Sequence, residues 1–397
     1  MIRSLIIVGI ILLSMSSCKE EHKSTTIEGD AVRTLNQVAA KLKSDLDKST
    51  TNFNLIPRSL NQDGSLNATK SKSWTSGFLP GTLLMLHDHT GDKQYKEAAL
   101  RWMETVEKEK FDSTTHDLGF KIYCSFGNAY RIDKNQDYKE VVLTAAETLS
   151  KRYNPQVGAI KSWDFNNDVW SYPVIIDNMM NLEIMFEASL LSGDQKYYDI
   201  AVDHANTTLK NHFRSDNSSY HVIDYDPSTG EIRNRHTHQG ADHESAWSRG
   251  QAWGLYGFTL CYRYTKDKRY LERANRIADY IINHKRLPAD GIPYWDYDAP
   301  NIPDEPRDVS ASTVTAAALY ELHKFDQSKA KEYLSHADKI LASLEQEKYR
   351  TDAQYFILDK SVGSIPGDFE HSVPISYADY YFVEALTRKK SFNSMKK

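Results

Sequence analysis

The sequence is poor in the residues that make tight turns. Eighteen glycines and twelve prolines are about 8% of its 397 residues, against an average near 12%. That leaves too few turn formers for the many short hairpins of a β-propeller or β-sandwich. Cysteine is scarcer still, at three. No CxxC pair is present, which argues against structural zinc and dithiol motifs. A basic excess is missing too: 49 Lys and Arg against 54 Asp and Glu give a net charge of −5, so a general nucleic-acid binder is not expected. No GxSxG, P-loop or dinucleotide fingerprint follows a predicted strand. Leu5–Leu13 is an apolar run far short of the roughly 20 residues that a membrane span requires.

That run follows Arg3 and precedes Ser16, Ser17 and Cys18. The order is that of a secretory signal, and ending on cysteine it resembles a bacterial lipoprotein signal. We expect residues 1–17 to be removed, Cys18 to carry lipid and residues 18–28 to form a tether. The protein would then sit in the cell envelope, in the periplasm or on the outer-membrane surface, meeting membrane only through its lipid. Cys124 and Cys261 lie inside apolar helical patterns and read as buried free thiols.

What the chain has in quantity is aromatic residues, with 24 Tyr, 14 Phe and 7 Trp. Some of them mark a repeat: a polar turn, an Asp, a Tyr, then an apolar residue. It occurs at Gly91-Asp92 with Tyr95, Asn135-Gln136-Asp137 with Tyr138, Gly193-Asp194 with Tyr197, Lys266-Asp267 with Tyr270, and more loosely at Asp326 with Tyr333. A residue that ends one helix followed by an Asp that starts the next is helix punctuation. The tyrosine spacings of 43, 59, 73 and 63 residues each fit two helices plus loops. Between the turns, apolar stretches such as 118–132, 178–191, 246–265 and 310–323 alternate with charge-rich amphipathic ones such as 92–108, 136–153 and 195–212. Helices apolar all round are buried and amphipathic helices lie at the surface. Six alternations predict an all-α fold, an (α/α)6 barrel over residues 29–390, its first outer helix at 29–50. An open helical solenoid is the alternative. The Ala, Gly, Ser and aromatic content of the inner helices favours the closed ring.

Short turns join each inner helix to the next outer one, so the long loops gather at the opposite mouth. They carry Trp74, His116, Asp117, Trp163, Asp177, the His-rich run 236–243, Trp295 and residues 359–374. Loops on a rigid scaffold are where function concentrates. Trp and Tyr with a few carboxylates describe a carbohydrate cleft. Asp117 and Asp177 precede adjacent inner helices, where Asp is also a preferred cap. A helix N-terminus favours the ionised acid; a second carboxylate and desolvation disfavour it. Acting together they would leave one Asp charged and the other protonated, as a proton donor requires. Arg249, near the start of a buried helix, is either a clamp on a substrate carboxylate or half of a structural ion pair. His236, His238, His243 and Glu244 match no metal-binding spacing, and neither metal nor cofactor is expected.

His116-Asp117-Leu118-Gly119-Phe120, Ile176-Asp177-Asn178-Met179-Met180-Asn181, Arg249-Gly250-Gln251-Ala252-Trp253-Gly254 and Tyr377-Ala378-Asp379-Tyr380-Tyr381-Phe382, with Trp74-Thr75-Ser76-Gly77-Phe78-Leu79-Pro80-Gly81, resemble the unsaturated glucuronyl hydrolases, glycoside hydrolase family 88. The resemblance spans about residues 70–388. It implies an (α/α)6 barrel and a reaction in which a polysaccharide lyase supplies oligosaccharides ending in a 4,5-unsaturated glucuronic acid, here from glycosaminoglycans. The enzyme hydrates the vinyl ether and releases the remaining glycan. By the same resemblance Asp177 is the acid and base, and Asp117 binds sugar hydroxyls and keeps Asp177 protonated. Trp74, Phe78, Trp163, Trp247 and Trp253 line or stack in the cleft. His116, His221, Gln239 and Arg249 hold hydroxyls and the carboxylate. Ser361 and Ser364 fall where some members place a Ser-x-x-Ser-x-Lys sulfate loop, but Pro366 stands where the Lys would be. Two alternatives are an unsaturated rhamnogalacturonyl hydrolase acting on pectin fragments and a non-catalytic glycan-binding lipoprotein.

Overall fold

Helix starts and stops follow the punctuation of the repeat. The computed structural model describes residues 21–48 and 51–394; the predicted signal, Cys18 and the first tether residues lie outside them. Six amphipathic helices, α1 (Glu21–Lys48), α3 (Lys93–Val106), α5 (Gln136–Ser150), α7 (Gln195–Asn211), α9 (Lys268–Ile282) and α11 (Ala330–Leu344), alternate with six buried ones. The buried set is α2 (Phe78–Thr90), α4 (Gly119–Gly127 continued by Asn128–Asp133), α6 (Asn178–Ser192), α8 (Ser248–Thr265), α10 (Val309–Leu322) and α12 (Ser376–Ser394). The fourth helix opens as a π-helix over Gly119–Gly127 and ends as an α-helix over Asn128–Asp133. Gly91 and Gly193, at φ 74° and 77°, end α2 and α6 in the left-handed conformation that glycine adopts without strain. The side chains of Asp92, Asn135, Asp194 and Asp267 then accept the N–H groups of Gln94, Asp137, Lys196 and Arg269 at 2.8–3.0 Å.

The repeat tyrosines stitch the outer ring. Tyr95 on α3 donates to the Ala39 carbonyl of α1 at 2.6 Å. Tyr197 on α7 reaches Glu147 of α5, Tyr270 on α9 reaches Asn206 of α7, and Tyr333 on α11 reaches Asn275 of α9. Four of the five repeat hydroxyls thus find a partner on the preceding outer helix, which explains why Tyr rather than Phe recurs at those positions; Tyr138 packs its ring on Phe126 instead. Inside, each buried helix packs on the next, and α12 packs on α2 and α1, so the ring closes as an (α/α)6 barrel and the open solenoid is excluded. At the far end Arg263 of α8 bridges Glu183 of α6 (2.7 Å) and Glu321 of α10 (3.1 Å). Arg388 of α12 joins Glu321 (3.2 Å) and Glu384 (3.3 Å). Cys124 and Cys261 are buried free thiols.

Two features depart from the sequence reading. The first helix begins at Glu21 rather than residue 29, because neither Gly nor Pro interrupts residues 21–28. Short strands also form in the long loops: a hairpin of β1 (Ile56–Leu60) and β2 (Leu66–Thr69), a pair β3 (Tyr153–Asn154) and β4 (Ala159–Ile160), and an antiparallel sheet of β5 (Tyr172–Ile175), β6 (Val222–Tyr225) and β7 (Ile232–His236). Loops of 20–35 residues cannot bury backbone at the mouth without pairing it, and these ladders provide the pairing.

Close helix approach depends on glycine. A Cβ on Gly81 of α2 would overlap the Cys124 carbonyl of α4, and one on Gly119 would sit 2.7 Å from the Cα of Asn181 in α6. Gly81→Ala is expected to lower stability by about 1–3 kcal/mol, seen as a lower urea midpoint at unchanged slope.

Candidate active site

The register of the three-stranded sheet sets the site. Ile175, last in β5, pairs with Val222, first in β6. Ile176 donates its N–H to the His221 carbonyl (3.1 Å), so the next residue, Asp177, and His221 emerge side by side. Asp224, fully buried, fixes the strand start by accepting the N–H groups of Ser171 (2.9 Å) and Tyr172 (2.8 Å). Asp177 occupies the cap position of α6, but its carboxylate makes no capping hydrogen bond. It turns instead into a cleft of about 490 Å³.

Burial decides its protonation. Asp177 is 8% exposed, and its Oδ2 is buried without a hydrogen-bond partner. Desolvation raises its pKa from 3.8 to about 6; the nearby charge of Asp117 adds to this, and His116 and Arg249 oppose it. Asp117, at the start of α4, is treated differently by its surroundings. Burial pushes its pKa up, but His116, with Nε2 3.2 Å from Oδ1, and the Thr115 hydroxyl, hydrogen-bonded to Oδ2, outweigh that and hold the carboxyl below its ordinary value. Up to about pH 6 the site thus holds one carboxylate, Asp117, and one carboxylic acid, Asp177.

His221 completes the pair. Its Nδ1 accepts the backbone N–H groups of His238 (3.0 Å) and Gln239 (3.1 Å). Burial holds its pKa well below 6.5. A neutral ring whose Nδ1 is an acceptor carries its proton on Nε2. That N–H lies 3.6 Å from Asp177 Oδ2, beyond a good hydrogen bond, and neither atom has another partner; Asp177 lines the cleft, whereas His221 stands behind it and does not.

Seven predicted residues line the cleft: Trp74, His116, Asp117, Trp163, Asp177, Gln239 and Arg249. Arg249 is committed elsewhere, however. Its guanidinium meets Asp308 at 2.9 Å, the Gly363 carbonyl at 2.7 Å and the Val362 carbonyl, and it stacks between Trp247 (4.5 Å) and Tyr377 (5.3 Å). The structural ion pair, rather than a free fork for a substrate carboxylate, describes it. Phe78, Trp247 and Trp253 do not line the cleft. Phe78 and Trp253 are fully buried and, with Phe120 and Tyr381, form an aromatic floor across the barrel. Trp247 lies behind His221 and Arg249. Ser361 and Ser364 are buried in a hairpin, the Ser364 hydroxyl accepting the Gly367 N–H at 3.0 Å, and neither lines the cleft.

Sequence reasoning missed Arg58, Lys72, Lys121, Phe165 and Phe369, all lining residues. Phe165 stacks on Trp163 with ring centres 4.8 Å apart and extends that wall. Lys121 alone left a signal, a lysine within an otherwise apolar helix. The histidine run has ordinary work: His236 accepts from the Trp170 indole, and His243 accepts the Thr237 N–H, each at 3.1 Å.

The model of Glycosyl Hydrolase Family 88 matches residues 54–393. The chain belongs to glycoside hydrolase family 88. It is 44% identical over 391 residues to the unsaturated glucuronyl hydrolase of Formosa agariphila, covering 97% of each chain. Among solved structures it is similar to an unsaturated glucuronyl hydrolase specific for heparin, with TM-score 0.88, 42% identity, and 93% of this chain and 98% of that one covered. The unsaturated glucuronyl hydrolase of Bacillus sp. GL1, responsible for the degradation of glycosaminoglycan, gives TM-score 0.83 and 30% identity, with 92% and 96% covered.

The raised pKa of Asp177 carries a stability consequence. Between pH 4 and 6 the folded chain keeps a proton that the unfolded chain releases, so this group's penalty grows over that window and is complete above it. Asp177→Asn is expected to stabilise the fold by about 2 kcal/mol at pH 8 and by much less at pH 4, measured as the shift in unfolding free energy at the two pH values.

Proposed function

We propose that this family 88 glycosidase removes a 4,5-unsaturated glucuronic acid from the non-reducing end of lyase-generated glycosaminoglycan oligosaccharides. The observation that carries the reading is Asp177: a buried carboxylic acid, neutral to about pH 6, beside an ionised Asp117 in an aromatic-walled cleft. The names of its relatives give the substrate class. Hydration of a vinyl ether needs an acid that can protonate carbon and a base that can then take a proton from water. The Asp177 carboxyl gives its proton to C4. Water adds at C5, and its proton returns to the Asp177 carboxylate. The C5 hemiketal then opens and the glycan leaves. The anomeric carbon is never attacked, so the carboxylate spacing that separates retaining from inverting glycosidases does not bear on this reaction.

Asp117 keeps its charge through Thr115 and His116, accepts hydrogen bonds from sugar hydroxyls and raises the cost of ionising Asp177. The Nε2–H of His221, fixed in direction by two backbone donors, is placed to hold the attacking water against Asp177. Trp74 and the Trp163 wall take the sugar ring. The amino-terminal sequence supports export and lipid attachment at Cys18, which would place the enzyme in the cell envelope beside the lyases that feed it.

The test is incubation with unsaturated disaccharides made by lyases from hyaluronan, chondroitin, heparin and pectin, following loss of the ultraviolet absorbance of the conjugated double bond. Unchanged absorbance on all four would sink the reading, and turnover of the pectin product alone would move it to the rhamnogalacturonyl reaction. Because the acid must be protonated, kcat/KM should fall about tenfold per pH unit above about pH 6. Asp177→Asn should reduce turnover by about a hundred- to ten-thousandfold while still binding the disaccharide in calorimetry.

A further inference from the structure

Four lysine and arginine side chains line the cleft: Arg58, Lys72, Lys121 and Arg249. Three of them are already paired. Arg249 is held by Asp308. Arg58 forks onto Glu370 at 2.6 and 2.9 Å. Lys121, 1% exposed, lies 2.7 Å from Asp112. Lys72 makes no ion pair and no side-chain hydrogen bond with any described residue, and it is exposed. The cleft therefore keeps one uncommitted cation among its described residues, and keeps it where a ligand can reach.

Depth says which part of a substrate that cation meets. Asp177 is nearly buried, above the closed aromatic floor, so the sugar whose C4 it protonates fills the inner end. The rest of the glycan extends toward solvent, where the exposed lining residues are Lys72, Thr114, Phe165 and Phe369, of which Lys72 alone is charged. The two phenyl rings are apolar platforms for a sugar face. The hairpin tip that carries Phe369 offers Asp368 but no cation. We propose that Lys72 is a specificity-determining residue that pairs with a sulfate on the first sugar of the leaving glycan. The inference rests on the hydrolase reading above. An ammonium at an open rim forms a modest, salt-screened pair, so it tunes which oligosaccharide is preferred without being needed for the chemistry.

The experiment compares wild type, Lys72→Met and Lys72→Arg on one unsaturated disaccharide with and without a sulfate on its leaving sugar. Lys72→Met should lower kcat/KM on the sulfated form about fivefold, mainly through KM, and leave the unsulfated form within about twofold. Lys72→Arg should restore most of the difference, and added salt should erase it in wild type. Equal losses on both forms would mean that Lys72 meets the uronate carboxylate or shared hydroxyls, and no loss on either would mean that it binds nothing; both results overturn the proposal. Calorimetry with the same pair on the Asp177→Asn chain, with and without Lys72→Met, reads the contrast without turnover. Failure of wild type to turn over either disaccharide would count against the hydrolase reading, while the binding contrast would still judge Lys72.

Discussion

A guanidinium taken out of water must place its donors on protein groups or forfeit several kcal/mol. Arg249 does so through its two terminal nitrogens, leaving only Nε without a partner, and in doing so draws four segments together. It projects from the first turn of α8 to Asp308, which itself caps α10 through the Ser310 N–H at 3.0 Å. It binds the carbonyls of Val362 and Gly363, which pins the 361–373 hairpin, and it lies against Tyr377 at the start of α12. That hairpin then holds Arg58 of β1 through Glu370. The wall of the cleft from α8 round to β1 is therefore held by two ion pairs joined through the hairpin. The hairpin adopts left-handed backbone at Lys360, Asp368, Glu370 and Ser372, conformations that cost energy in L residues and persist only where the surroundings enforce them. Arg249 anchors the hairpin near its start, at Val362 and Gly363, and Arg58 holds Glu370 on its returning arm. Truncating Arg249 would leave Asp308 buried without its partner and release the start of the hairpin.

The two aspartates show how one fold sets opposite protonation states with little difference in sequence context. Both precede buried helices and both are largely desolvated. What separates them is donors: Asp117 has Thr115 and His116 against its oxygens, whereas Asp177 Oδ2 has none within hydrogen-bond distance. His221 does not quench Asp177, because its ring is anchored from behind by two backbone N–H groups at its other nitrogen. The β5–β6 register that places His221 beside Asp177 is thus as important to the acid as its burial.

The helical ring was legible in the sequence because its determinants are local. The Asp and Asn caps, the left-handed residues before them and the alternation of apolar with amphipathic stretches each act within a few residues, and the repeat tyrosines proved to be the stitches of the outer ring. Asp117 and Asp177 could be singled out for a similar reason, each sitting at a predicted helix start in a recognisable motif. What escaped is what depends on contacts across the chain. The pairing of β5 with β6 joins residues about fifty apart in sequence, and nothing near either strand announces its partner. Arg249 reads equally well as clamp or strut until Asp308 and the hairpin carbonyls are seen around it. The family resemblance puts Trp247 and Trp253 in the cleft, but both are buried in the structure, Trp253 among the aromatic rings of the floor. Lys72 carried no signal, since an exposed lysine between other polar residues looks like any surface position.

The aromatic floor has a kinetic consequence. Phe120 faces the cleft on one side and a separate polar chamber on the other, with Phe78, Trp253 and Tyr381 packed around it. The cleft is blind, with one opening for entry and exit. A sugar seated at Asp177 is corked in by whatever remains attached or bound outside it. Products must therefore depart in a fixed order, the truncated glycan first and the monosaccharide after it. The shortened glycan no longer ends in a 4,5-unsaturated sugar, so each oligosaccharide is cut once, and it must withdraw before the cleft can empty and take the next one.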